Sequence, residues 1–198
     1  MNVDFPRRIV IAVTGASGML YAASFLKFAA ERYDTVYLIV SKNAEDIIRQ
    51  EIGLNDILNA VPGELALRVQ RLEPSNIWAA PASGSHFYDG MVVVPCSMGS
   101  LGRIAAGVSD DLITRVGDVC LKERRKLVLA VRETPYSLVH LRNMTALAEA
   151  GAVIMPASPA FYHNPNNFED LADFLTARIS AQFGFRSDKF PEWPGIIK

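Results

Sequence analysis

Cysteine and histidine are scarce in this 198-residue chain: Cys96 and Cys120 are its two thiols, and His86, His140 and His163 its three imidazoles. Two cysteines make no disulfide framework and lack the spacing of a metal site, a pattern that fits a reducing cytoplasm. Long apolar runs are also missing. The runs at residues 9–13 and 91–94 have strand length, far short of the roughly 20 residues of a membrane-spanning helix. Arg7-Arg8 has the charge of a signal peptide's start, but the apolar run behind it ends at Thr14-Gly15. Neither sign of charge dominates, since 20 basic and 21 acidic residues leave a formal charge of −1. No global field therefore draws nucleic acid or an anionic membrane. Internal repeats, low-complexity tracts and linkers are absent. With 50% hydrophobic residues, the expectation is one soluble cytoplasmic domain with an apolar sheet or extensive subunit contacts.

The chain alternates short β-branched runs with amphipathic stretches. Residues 8–14 (RIVIAVT) read as a buried strand, followed by a Gly15-Ala16-Ser17-Gly18 turn and a helix to about Arg32. Further strands are expected at 35–41, 90–96, 126–133 and 152–156, with a possible one at 67–72. Helices are expected at 42–52, closed by Gly53, then at 110–123, 137–150 and 167–183, with one more after residues 97–100. Strands that are apolar throughout, each leading into a helix, imply a parallel sheet covered on both faces: a three-layer α/β/α sandwich. One domain spans residues 1–184. The Pro- and aromatic-rich tail, 185–198, is expected to pack at a subunit interface.

In such sheets ligands bind beyond the carboxyl ends of the strands. The GASG turn lies there, where helix amides can hold a phosphate. It is not the dinucleotide fingerprint, because the second strand ends in Ser41-Lys42 rather than an acidic residue. This disfavours NAD and leaves a mononucleotide open. Ser97-Met98-Gly99-Ser100 forms a second small-residue turn, and Ala82-Ser83-Gly84-Ser85 a third. Arg132 and Glu133 at the mouth of a buried strand need a partner or a task to offset desolvation. Either they form an internal ion pair or cap, or they join an anion-binding guanidinium to a proton-transferring carboxyl. The loop at 157–167 (ASPAFYHNPNN) suits a lid or an interface.

Six segments then occur together in order: TGASG, PASGS, PCSMGSL, CLKERRKL, VRETPYS and PAFYHNP. In this the chain resembles the UbiX-type flavin prenyltransferases, over about residues 8–183; the stretch 54–70 shows little similarity. The resemblance implies a flavodoxin-like fold, a homododecamer with active sites at subunit contacts, and no metal. It implies reduced FMN and dimethylallyl phosphate, or its pyrophosphate, as reactants. The prenyl group joins flavin nitrogen 5, a fourth ring closes at carbon 6, and the prenylated FMN passes to a UbiD-type decarboxylase.

Matched residue by residue, the resemblance assigns Gly15, Ala16 and Ser17 to the first FMN-binding turn and Ser41 to a flavin contact. Ser97, Met98, Gly99 and Ser100 match the second turn, and Arg132 touches both FMN and the substrate phosphate. Tyr162 and Arg178 match dimethylallyl phosphate ligands, and Ser83, Arg115 and Lys122 further members of the phosphate cluster. Glu133 matches the acid near the reaction centre, with Ser17 linked to it in proton handling. An apolar wall, from Trp78 or from Trp193 in the tail, is expected to exclude water. Two other readings exist. A flavin-dependent cysteine decarboxylase needs a catalytic histidine, for which His86, His140 and His163 offer no setting. A non-catalytic FMN carrier subunit needs only the turns, but leaves Glu133, Tyr162 and Arg178 without a task.

Overall fold

A computed structural model of the chain describes residues 6–187 and Phe190. Six strands form one parallel sheet: β1 (Arg8–Val13), β2 (Thr35–Val40), β3 (Val69–Leu72), β4 (Gly90–Cys96), β5 (Lys126–Val131) and β6 (Val153–Pro156). Their spatial order is β3-β2-β1-β4-β5-β6. Without the short edge strand β3 this is the flavodoxin order 2-1-3-4-5, so β3 is an addition to a flavodoxin-like sheet. The chain reverses direction of travel across the sheet between β1 and β4, and the crevice above that switch point is where a ligand is expected.

The helices are α1 (Met19–Arg32), α2 (Lys42–Ile52), α3 (Met98–Ala105), α4 (Leu112–Lys122), α5 (Leu138–Glu149) and α6 (Phe168–Ala181). Alternation along β1 divides the core. Ile9, Ile11 and Val13 face α1 and α6, whereas Val10 and Ala12 face α3 and α4. α1 buries four alanines, Ala22, Ala23, Ala29 and Ala30. These bring its backbone close to the sheet, and Ser24 on the same helix bonds Asp173 and Thr176 of α6 at 2.8 Å each. α5 differs from the other covering helices. Only Leu147 is buried on it, while Leu138 and Val139 are 61% and 62% exposed.

No described helix is long and apolar enough to cross a membrane. The expected strand at 126–133 ends at Val131, so Arg132 and Glu133 lie beyond the strand rather than within it. The first residues of the tail fold back on their own chain. Phe185 meets Phe28 and Tyr33 edge-on at 5.4 and 5.6 Å, and Phe190 meets His163 and Phe174. Trp193 and the rest of the proposed interface segment lie outside the described residues.

Candidate functional site

Thr14 ties the switch point together. Fully buried, its hydroxyl donates to the Pro95 carbonyl and accepts from the Ser97 amide, both at 2.8 Å. The ends of β1 and β4 are thereby locked at one spacing, and a cleft opens on either side of the turn between β1 and α1.

The first cleft, about 740 Å³, is lined by the polar or charged Ser17, Glu51, Arg132 and Glu169, by Gly18 and Tyr21, and by the apolar Leu20, Ile52, Ala157, Phe168 and Leu171. Arg132 is aimed by a hydrogen bond from its Nε to the Ser17 carbonyl, 3.2 Å. Glu51 is the residue that the sequence reading missed. α2 crosses the carboxyl edge of the sheet, and its last turn presents Glu51 to the start of α1. There the carboxylate accepts from the Gly18 and Met19 amides at 2.9 and 2.8 Å. Burial pushes the Glu51 pKa up. Hydrogen bonds from the Ser17 hydroxyl and those two amides, with the nearby Arg132 charge, outweigh it and hold the group below its ordinary value. One signal was available: a glutamate in a helix's last turn opposes the helix dipole and needs an external reason.

This arrangement limits which amides beside the GASG turn are open to a phosphate. Two α1 amides that a phosphate would use are already bonded to Glu51. The anion-binding character belongs to the second cleft, about 500 Å³, lined by Gly15, Ser41, Lys42, Asn43, Ser97, Gly99, Ser100 and Arg103. Two helix N-termini converge here, those of α2 and α3, each with a positive dipole end. Ser41 is the N-cap of α2 yet makes no capping bond, and its buried Oγ has no partner among the described residues. A buried hydroxyl left so is costly unless a ligand completes it. Two cations and no carboxylate line the cleft. Gly15 is required where it stands, since a Cβ there would lie 2.8 Å from the Asn43 Cβ. A phosphomonoester fits this donor set, and the adjoining first cleft has room for a flat, largely apolar ring system.

Of the predicted site residues, the structure brings Gly15, Ser17, Ser41, Ser97, Gly99, Ser100 and Arg132 to these two clefts. Ala16 is buried in the turn with its amide on the Thr14 carbonyl, and the Met98 side chain is turned into the core, so neither side chain lines a cleft. Glu133 lies beside Arg132, with its carboxylate accepting from the Thr134 amide at 3.0 Å. Tyr162 packs edge-on against Phe174 at 5.8 Å, and Arg178 sits one helical turn beyond Phe174 on α6. Ser83, Arg115 and Lys122 form a separate group. Arg115 reaches the Ala82 carbonyl and Asp118, Ser83 bonds Ser85, and Lys122 pairs with Glu123. Trp78 is 91% exposed. Within one chain, the apolar lining of the first cleft comes from Leu20, Ile52, Phe168 and Leu171.

The histidines have structural surroundings. His86 bonds the Tyr37 hydroxyl at 2.8 Å, His140 completes a capping box with Ser137, and His163 stacks on Phe174 at 5.0 Å. No group of three or more metal-ligating side chains occurs among the described residues.

A family model described as Flavoprotein matches residues 3–180. Flavin prenyltransferase UbiX of Pseudomonas aeruginosa is 40% identical over 197 residues, covering 95% of this chain and 94% of that protein. The crystal structure of AnUbiX (PadA1) in complex with FMN and dimethylallyl pyrophosphate superposes with a TM-score of 0.88 at 40% identity, covering 98% and 100% of the two chains. A dodecameric FMN-dependent UbiX-like decarboxylase structure from Escherichia coli gives 0.84 at 36% identity, covering 95% and 100%. With identity at this level over nearly the whole chain, and clefts that suit a flavin phosphate and its ring, the chain belongs to the UbiX family of flavin prenyltransferases.

Proposed function

We propose that the protein transfers a dimethylallyl group from dimethylallyl phosphate, or its pyrophosphate, to reduced FMN. The observation that carries this reading is the pairing of the two clefts across one turn. One has the donors for a phosphomonoester, and the other sets Arg132, Ser17 and Glu51 against an apolar wall.

Bound reduced FMN supplies the electron-rich nitrogen and carbon that accept the prenyl group. The chain's residues supply the surroundings. Ser41, Ser97, Ser100 and the α2 and α3 N-termini hold the phosphate end. Arg132, fixed by the Ser17 carbonyl, faces the ring end, where it stabilises negative charge as the allylic C–O bond breaks and phosphate departs with the electron pair. Holding the reactants in contact supplies roughly 7–11 kcal/mol of such a barrier. Leu20, Ile52, Phe168 and Leu171 keep water from the allylic carbon. Glu133 or the released phosphate takes the proton lost on ring closure, and Glu51 holds the Ser17 hydroxyl in one orientation.

The remaining cations are spread too widely to reach this point from the same chain. Lys122 precedes β5 and Arg132 follows it, and a six-residue strand alone spans about 17 Å. Arg178 lies ten residues along α6 from Phe168 on the cleft wall, about 15 Å. Neighbouring copies in a homo-oligomer supply Arg115, Lys122, Tyr162 and Arg178. The dodecameric relative supports this, as do the exposed apolar residues of α5. The product serves a UbiD-type decarboxylase in the cytoplasm.

Anaerobic incubation with reduced FMN and dimethylallyl phosphate, then mass spectrometry of the extracted flavin, tests the reading. A flavin heavier by one prenyl unit is expected. Unmodified flavin with both the phosphate and the pyrophosphate donor, from protein that binds FMN, overturns it in favour of the carrier subunit.

A further inference from the structure

Arg103 lies in the second half of α3 and lines the second cleft, yet no part of the sequence reading gives it a task. Its Nη1 donates to Asp110 and to Asp111, at 2.7 Å each, across the loop joining α3 to α4. Among the described residues these are its only side-chain hydrogen bonds. The guanidinium is therefore fixed at one corner, with the N–H groups on Nε and Nη2 uncommitted. The carboxylates differ in their other duties. Asp111 is the N-cap of α4 and accepts the Thr114 amide at 2.8 Å, whereas Asp110 is 57% exposed and makes only a weak second bond, from the Thr114 hydroxyl.

Two carboxylates more than cancel the charge of one arginine toward the bulk. A planar guanidinium presents separate edges, however, and an anion reaching the free edge receives two directed donors. The same cleft offers that anion the unpartnered Ser41 hydroxyl, the Lys42 side chain and two helix N-termini. Riboflavin and FMN differ only in the phosphate. A residue that touches the phosphate alone sets the preference between them.

We propose that Arg103, held by Asp110 and Asp111 at the wall of the second cleft, binds the phosphomonoester of the flavin and is the residue by which this protein distinguishes FMN from riboflavin. The inference rests on the reading of this chain as an FMN-binding prenyltransferase and goes beyond it in assigning the phosphate's partner. It also gives Asp110 a sign. As a like charge competing for the same guanidinium, Asp110 opposes phosphate binding, so its neutralisation strengthens binding.

The test is equilibrium titration of the assembled protein with FMN and with riboflavin, followed by flavin fluorescence, with inorganic phosphate as competitor. Arg103→Ala is expected to weaken FMN binding about 10- to 100-fold, the range of one to two charge-assisted hydrogen bonds. Riboflavin affinity stays as in the wild type. Asp110→Asn is expected to tighten FMN binding several-fold, again with riboflavin unchanged, and Arg103→Lys to fall between wild type and alanine. At equal fractional saturation with FMN, inorganic phosphate displaces it from wild type at lower concentration than from Arg103→Ala. Equal losses for both flavins overturn the proposal, because a destabilised α3–α4 loop does not discriminate between them. So does unchanged FMN affinity in Arg103→Ala, or weaker FMN binding in Asp110→Asn. A wild type that binds neither flavin would instead remove the prenyltransferase reading itself.

Discussion

Replacing Glu51 by glutamine changes one charge and almost no volume, and it acts where a helix start, a hydroxyl and a cleft meet. The carboxylate accepts from the Gly18 and Met19 amides and from Ser17, with Arg132 nearby. Glutamine keeps one acceptor oxygen, so the loss is that of the charge. Hydrogen bonds to charged groups contribute about 1.5–3 kcal/mol and neutral ones about 0.5–1.5. Because Glu51 is exposed on one side, the expected loss is only about 1 kcal/mol, in line with a weakened helix cap. For a chain of this size that lowers the melting temperature by about 2–4 °C, measured at fixed protomer concentration. The pH dependence follows from the direction of the shift. A carboxyl held below its ordinary pKa of 4.5 in the fold adds stability above that pH, and the contribution fades as pH falls through the folded value. Wild type and Glu51→Gln should therefore differ at pH 7 and converge only as pH falls below the folded value. Prenylation by the variant should fall at least tenfold with FMN affinity kept, since the Ser17 hydroxyl then faces a neutral amide in place of a charged carboxylate. A variant that melts and turns over like wild type at pH 7 would refute the role given to this carboxylate.

Gly15→Ala places a Cβ 2.8 Å from the Asn43 Cβ, so FMN affinity should drop, and adding Asn43→Gly should restore part of it in the same titration; no recovery would locate the damage elsewhere. Gly90→Ala is a fold probe. Its Cβ would stand 2.3 Å from the Lys126 carbonyl oxygen, within the β4–β5 ladder, and a loss of about 1–3 kcal/mol or more is expected in denaturant unfolding. Glu133→Gln should retain FMN binding and lose most prenylation, read by mass spectrometry, whereas unchanged turnover removes Glu133 from the chemistry.

Much of this layout is legible in the residues because parallel strands buried on both faces leave little ambiguity. GMVVVPC is apolar from Gly90 to Cys96, and β4 occupies that whole run with every residue buried. Lys42–Ile52 ends at Gly53, whose left-handed φ of 68° closes α2 where a glycine was expected to. The edge is less legible. β3 has four residues, of which Gln70 and Arg71 are exposed, so its apolar signal is thin. The site divides in the same way. Gly15, Ser17, Ser41, Ser97 and Arg132 were readable because each follows a strand, and strand ends face the crevice. Glu51 and Arg103 were not, since each reaches a cleft only through the path of its helix across the carboxyl edge. Met98 differs from them because its side chain points into the core, which leaves its backbone as the part the turn can offer a ligand.

The separation of cations along β5 gives the proposed shared site a quantitative consequence. Lys122 closes α4 before the strand begins and Arg132 follows its end, so a lysine side chain cannot cross the length of the strand to the same phosphate. If Lys122 acts on the allylic phosphate, it does so in a neighbouring chain's cleft. Protomers carrying Lys122→Ala and protomers carrying Arg132→Ala should then each assemble into nearly inactive proteins. Unfolded together in equal amounts and refolded, they form mixed assemblies in which about one site in four draws both intact residues from different chains. Prenylation should rise toward about a quarter of the wild-type rate, and dilution that dissociates the assembly should abolish it. If both residues serve the same chain's site, every site in the mixture lacks one of them. Activity would then stay at the level of the separate variants, and the assignment of Lys122 to a neighbour's cleft would be wrong.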